Sequence, residues 1–224
     1  MYQLYLGNKN YSSWSLRGFL AMKLSGAPFA ERMVSLANHG NRSFTPTGRV
    51  PCLHDGATIV WDSLSIAEYL AERHRGMWPA DPAARAWARS VAAEMHSSFS
   101  ALRNEMAMCI RERVDVRPWS DGLQRDIARV TAIWNEGRAR FGQGGPYLCG
   151  DYSLADAFYA PVAFRFRTYG VEPEGAAGAY LQAALQHPFV REWETAALAE
   201  TEILDDDEPR VIYRDKIAAV QGGV

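Results

Sequence analysis

The hydrophobic period of this chain changes about a third of the way along its 224 residues. Before that point short apolar runs alternate with stretches of helical spacing. Gln3 to Leu6 reads as a strand, and Ser15 to Leu24 as a helix with Leu16, Phe19, Leu20 and Leu24 on one face. Glu31 to Leu36 reads as a second strand, and Asn38 to Gly48, polar and rich in turn formers, as loop or irregular helix. Cys52 to Asp55 and Thr58 to Trp61 flank Gly56 as a hairpin. Ser63 to Arg73 is a helix burying Leu64, Ile66, Ala67 and Leu70. Gly76-Met77-Trp78-Pro79-Ala80-Asp81-Pro82 then interrupts the chain, and almost no strand signal follows. Ala83 to Val114 reads as one long helix through Trp87, Val91, Met95, Leu102 and Met106. Gly122 to Phe141 is another, and further helices open at Ser153 and Pro188. The pattern predicts an α/β unit over residues 1–76, a linker over 77–82 and an all-helical unit over 83–224.

Composition narrows the function. With 24 basic against 26 acidic residues the net charge is -2, which argues against a nucleic-acid partner. No run approaches the ~18 apolar residues of a membrane helix. Cys52, Cys109 and Cys149 are odd in number and lack metal-type spacing, so neither a disulfide framework nor a metal is expected. Met1 to Gly7 lacks a basic leader, and the reading is a soluble, cytoplasmic protein. The acidic run Asp205-Asp206-Asp207-Glu208 is expected in a solvated tail.

Two segments carry ligand chemistry. In Arg49-Val50-Pro51-Cys52-Leu53 a proline stands at a strand start. Proline lacks an amide proton and tolerates the cis isomer, so neighbouring backbone groups can be left for a ligand. In Asp62-Ser63 a helix opens on a carboxylate, a hydroxyl and free backbone amides. Together they suit a small peptide-like molecule bearing an amine and carboxylates.

These segments, in this order, resemble the soluble glutathione transferases. Tyr11-Ser12-Ser13-Trp14-Ser15-Leu16-Arg17 is similar to the Ser-Ser-Cys-x-x-Arg segment of the zeta class. Asp81-Pro82-x-x-Arg85-Ala86 resembles the usual opening of the helical domain. Gly150-Asp151-Tyr152-Ser153-Leu154-Ala155-Asp156 resembles the family's capping box and hydrophobic staple, in which Ser153 and Asp156 cap each other's backbone amides. The resemblance implies a thioredoxin-like N-terminal domain, an all-α C-terminal domain and a homodimer. It also implies a detoxifying transferase that activates the thiol of glutathione against a small electrophile, without a metal.

Residue by residue, the resemblance makes Ser12 the expected donor to the glutathione sulfur, with Ser13 the rival and Tyr11 a third option. A free thiol has a pKa of about 8.5, so it needs a hydrogen bond and the positive end of a helix to ionise at neutral pH. Val50 would pair with the cysteinyl backbone beside Pro51. Asp62 would take the ammonium and Ser63 the carboxylate of the γ-glutamyl end, with Arg49 or His39 at the glycine carboxylate. Cys52 is expected as a buried strand residue. His96, in a Glu94-Met95-His96 pattern like that of beta-class enzymes, and Arg103 and Met106 are candidates for the electrophile site. Trp14 replaces the zeta cysteine. Thr168 falls where zeta isomerases carry a carboxylate-binding arginine, with Arg165 and Arg167 out of register. An isomerase of maleylacetoacetate type or a peroxidase on the same scaffold is the alternative, and a non-enzymatic binding module the second.

Overall fold

The computed structural model describes residues 1–37 and 42–221. His39 lies outside the described residues. Four strands form one mixed sheet in the order β2-β1-β3-β4. β1 (Tyr2–Leu6) runs parallel to β2 (Phe29–Met33) and antiparallel to β3 (Cys52–Asp55), which turns back as β4 (Thr58–Val60). Helices α1 (Ser13–Ser25) and α2 (Ser63–Ala71) complete this part. β2 starts two residues and ends three residues earlier than its sequence suggests. The parallel ladder pairs Tyr2 with Phe29 and ends at Leu6 with Met33. Past it, the Leu36 amide donates to Asn8 Oδ1 instead of to a strand.

Among the described residues, the chain from Pro82 onward is helical apart from loops and isolated bridges: α3 (Pro82–Ser97), α4 (Ser100–Glu105), α5 (Asp121–Phe141), α6 (Leu154–Thr168), α7 (Gly175–Gln186), α8 (Pro188–Ala199), a 3₁₀ turn at Asp205–Asp207, α9 (Pro209–Ile212) and α10 (Arg214–Gln221). The continuous helix expected from Ala83 to Val114 is therefore broken. Phe99 adopts a left-handed φ of 64°, rare for a non-glycine residue. Arg103 folds back on the break, donating Nε to the Ser98 carbonyl at 2.9 Å and Nη2 to the Met95 and His96 carbonyls. Beyond Met106 the amides turn to partners far away in sequence: Ile110 N to Asn10 O at 3.2 Å, Val114 N to Thr168 O at 2.8 Å. The apolar spacing persists because Leu102, Met106, Met108 and Ile110 all reach the same core.

α7 is missing from the sequence reading, although its buried residues Ala177, Tyr180, Leu181, Ala184 and Leu185 recur at helical spacing. Its place is fixed by packing on α5 and by Ala177 N donating to Asn135 Oδ1. α6 runs through the centre of the helical part, buried along nearly its whole length. It begins in the expected reciprocal cap, with Ser153 N donating to Asp156 Oδ2 at 2.8 Å. One core of buried side chains runs from Leu4 and Phe19 through Phe158 to Trp134, with α1 packed on α6.

The acidic run is not a solvated tail. Asp205 and Asp206 are exposed, but Asp207 is half-buried and Glu208 only 7% exposed. Tyr11 donates its phenol to Glu208 Oε2 at 2.9 Å, and Leu204 packs on Tyr11 and Cys109. The segment from Glu200 onward crosses back to the β1–α1 loop. There Glu200 accepts from the Lys9 and Asn10 amides, at 2.7 and 3.0 Å.

Candidate active site

A cleft lies between the sheet half and the helical half, in two lobes that share Trp14, Arg49 and Val50. The larger lobe, about 610 Å³, is lined by Val50, Pro51, Trp61, Asp62 and His96. The smaller, about 330 Å³, is lined by Ser12, Ser13, Arg103, Arg165 and Asp207 among others. Two helices start at this cleft because each has a good cap.

Ser12 is the N-cap of α1, with extended backbone (φ -81°, ψ 91°) and its Oγ accepting from Ser15 N at 3.2 Å. Its hydroxyl donates to Ser15 Oγ at 2.8 Å, and that oxygen also accepts from Gly7 N. Ser13 follows in the first turn, and its Oγ accepts from Arg165 Nη2 at 3.3 Å. The third candidate, Tyr11, has its phenol bonded to Glu208; burial first, and that bond second, push it up to about 12.

Behind the start of α1 stand cations. Arg17 is 1% exposed, donates Nε to the Phe158 carbonyl at 3.2 Å and stacks on Trp14, its guanidinium carbon 4.6 Å from the ring centre. Arg103 lies 4.6 Å from the same ring. Arg165, 7% exposed, donates to the Met106 carbonyl. Burial, then the neighbouring Arg103, lower Arg165 to about 10. Burial lowers Arg17 too, with Arg103 and Arg165 adding repulsion. At about 10, Arg165 remains charged at neutral pH. A helix N-terminus backed by buried guanidinium groups places a positive potential where an anion can sit.

α2 starts differently. Its cap is Asp62, whose Oδ1 accepts from Leu64 N at 3.0 Å. Asp62 Oδ2 lies 3.2 Å from His96 Nε2, so a histidine of α3 reaches across to the cap of α2. Burial pushes the His96 pKa down, with Asp62 pulling it back and Arg17 and Arg103 adding to the fall. The imidazole nitrogen and the carboxylate oxygen are within hydrogen-bonding distance. Ser63 is fully buried and its hydroxyl has no hydrogen-bond partner among the described residues.

The structure thus brings Ser12, Ser13, Arg49, Val50, Pro51, Asp62, His96 and Arg103 to one cleft; Ser63, next in sequence to Asp62, is fully buried and does not line it. The Val50–Pro51 peptide is cis. Met106 is set apart: its side chain is fully buried in the core, and Ala107 and Met108 line the lobe in its place. The loop after α4 carries no helical period, so spacing alone could not tell these three apart. Arg165, not Thr168, faces the lobe; Thr168 bonds the Cys109 carbonyl at 2.8 Å. Cys52 is a buried strand residue, as expected.

Two family models match the chain: glutathione S-transferase N-terminal domain over residues 11–73, and glutathione S-transferase C-terminal domain over residues 117–196. Among curated proteins, a stringent starvation protein A homologue of Haemophilus ducreyi is 23% identical over 168 residues, 73% of this chain and 75% of its own. Another, from Pasteurella multocida, is 25% identical and covers 66% of each chain. Among solved structures, a Burkholderia glutathione transferase homologue with bound glutathione superposes with a TM-score of 0.69 at 22% identity, covering 89% of this chain and 99% of its own. A bacterial zeta-class maleyl pyruvate isomerase superposes at 0.68 and 23% identity, covering 89% of this chain and 100% of its own.

Proposed function

Because the chain belongs to the glutathione S-transferase superfamily, we propose that its larger lobe binds glutathione and that the start of α1 stabilises the thiolate for attack on a small electrophile. The observation that carries this reading is the convergence of the capped starts of α1 and α2 on Val50–Pro51 in one cleft. Asp62 takes the ammonium of the γ-glutamyl end. Its Oδ2 already accepts from His96, and a carboxylate oxygen has lone pairs for both donors. The amides at the start of α2 face the γ-glutamyl carboxylate, Val50 pairs with the cysteinyl backbone, and Arg49 lies at the glycine end.

At the sulfur, Ser12 donates. Its proton now rests on Ser15 Oγ, a neutral acceptor; a thiolate is a charged one and draws the proton to itself. Ser13 is the rival, since its hydroxyl donates to no partner among the described residues and Arg165 polarises its oxygen. The thiol proton leaves to solvent as the thiolate forms. The electrophile lies in the smaller lobe against Trp14 and Met108. In this reading residues 1–76 hold glutathione, 77–82 link, and 83–224 supply the electrophile wall.

A glutathione-dependent isomerase is the second reading. The observation favouring it is Arg165, which reaches the lobe from α6 even though Thr168 holds the expected register. The test is retention on immobilised glutathione, with conjugation of 1-chloro-2,4-dinitrobenzene and isomerisation of a cis-unsaturated dicarboxylic acid measured on the retained protein. Retention with turnover of the first supports the transferase, and of the second the isomerase. Absence of retention contradicts both, leaving a binding module.

A further inference from the structure

The acidic segment near the C-terminus makes a connected set of contacts. Three of its carboxylates hold the β1–α1 loop. Glu200 caps the Lys9 and Asn10 amides, and Glu202 accepts from Asn8 Nδ2 at 2.5 Å and Ser35 Oγ at 2.8 Å. Glu208 accepts from Tyr11. That loop runs directly into Ser12 and Ser13. Leu204, packed on Tyr11 and Cys109, and Glu208 anchor the strap on both sides of the short 3₁₀ turn at Asp205–Asp207. The turn closes with Asp207 N donating to Leu204 O at 2.9 Å. It leaves Asp205 and Asp206 in solvent and turns Asp207 into the smaller lobe.

Among the described residues lining that lobe, Asp207 is the only carboxylate, against Arg42, Arg49, Arg103 and Arg165. We infer that Asp207 is a specificity-determining residue of the electrophile lobe, offsetting the arginines and so limiting the lobe's preference for carboxylated electrophiles. This rests on the transferase reading of the cleft. Burial raises the Asp207 pKa, with Arg165 opposing and Asp206 adding to the rise; the charges on this wall are thus coupled. The physics is a fixed negative charge sharing a lobe of about 330 Å³ with any anion that enters. In an effective dielectric well above that of a dry interior, removing it strengthens carboxylate binding by roughly five- to tenfold.

Asp207→Asn removes the charge and keeps the shape. Asp206→Asn makes the same change in net charge at an exposed neighbour outside the lobe. Two matched electrophiles, neutral 1-chloro-2,4-dinitrobenzene and anionic 4-chloro-3-nitrobenzoate, report turnover. Calorimetric titration with nitrobenzene and 4-nitrobenzoate reports binding whether or not turnover occurs. The expected result is a gain of roughly five- to tenfold for the anionic member of each pair in Asp207→Asn. The neutral member stays within about twofold, and Asp206→Asn leaves both unchanged. Equal effects on neutral and anionic probes, equal effects of the two variants, or binding of neither probe by any variant would overturn the inference. A wild type that binds both probes in the lobe but turns over neither overturns the transferase reading, while the charge selectivity of binding still decides the role of Asp207.

Discussion

Two helices start at the same cleft with opposite chemistry. α1 is capped by a neutral hydroxyl, carries no acidic residue in its first turn, and has the guanidinium groups of Arg17, Arg103 and Arg165 close by. α2 is capped by the carboxylate of Asp62, which the imidazole of His96 meets from α3. The backbone amides at both starts are equivalent, and both favour anions. The cap sets the difference: the serine leaves the positive end of α1 open to an anion, in the proposed reading the thiolate, whereas the aspartate gives the rim of α2 a negative charge suited to the proposed ammonium. A zwitterionic peptide with a thiol between its charged ends suits that pair better than either helix alone.

The largest expected effect breaks the α1 half. Ser12→Ala should lower kcat for conjugation by roughly 100-fold, the scale for losing one preorganised donor to a developing anion. The KM for glutathione should change little. Steady-state kinetics beside Ser13→Ala checks this; a larger loss in Ser13→Ala would move the thiolate contact one residue along. The complementary substitution breaks the α2 half. Asp62→Asn retains a side-chain oxygen for the cap and loses the charge, so the Kd for glutathione should rise roughly tenfold with kcat largely kept. Calorimetry checks the Kd, and an unchanged value would remove Asp62 from the ammonium site. His96→Gln keeps a donor near Asp62 and should give a smaller rise than His96→Ala.

These two helix starts were legible because capping is local. A serine or aspartate ahead of an apolar period marks a helix N-terminus, and proline marks a strand start, with no knowledge of the rest of the chain. The same is true of Ser153 and Asp156. What the sequence hides is set by distant partners. The break at Phe99 depends on Arg103 folding back and on Asp126 of α5 accepting from Leu102 N. Arg165 reaches the lobe although its register in α6 gives no sign of it, because α6 is buried on nearly all sides and offers no polar face to read. An aspartate run looks the same in solvent as against a tyrosine and an arginine. Only the fold separates Asp206 from Asp207.

Smaller effects mark the boundary of the comparison by acting on stability away from the cleft. Ser153→Ala should cost about 1 kcal/mol, the usual price of a lost N-cap. Its readout is denaturant unfolding, with kcat per folded molecule unchanged. His187 caps α8 through an unprotonated Nδ1 that accepts from Phe189 N at 3.3 Å, stacked on Tyr152, and burial lowers its pKa to about 4. Its folded pKa lies below the unfolded value of about 6.5. Its contribution to stability is therefore present above pH 6.5 and is lost as pH falls from there towards 4. His187→Asn, a non-titrating cap, should show a shallower fall in stability across that window. Parallel unfolding curves at pH 7 and pH 5 check it.

The most direct test of the central claim is the ultraviolet thiolate absorbance of glutathione bound to the protein, followed against pH in wild type, Ser12→Ala and Asp62→Asn. Saturating protein with excess ligand controls for the weaker binding expected of the last. The account predicts a bound thiol pKa at least about one unit below the free value of about 8.5 in wild type. It also predicts a return towards that value in Ser12→Ala and little change in Asp62→Asn. A bound thiol that titrates like the free one in wild type, or that responds to Asp62 and not to the start of α1, would contradict it.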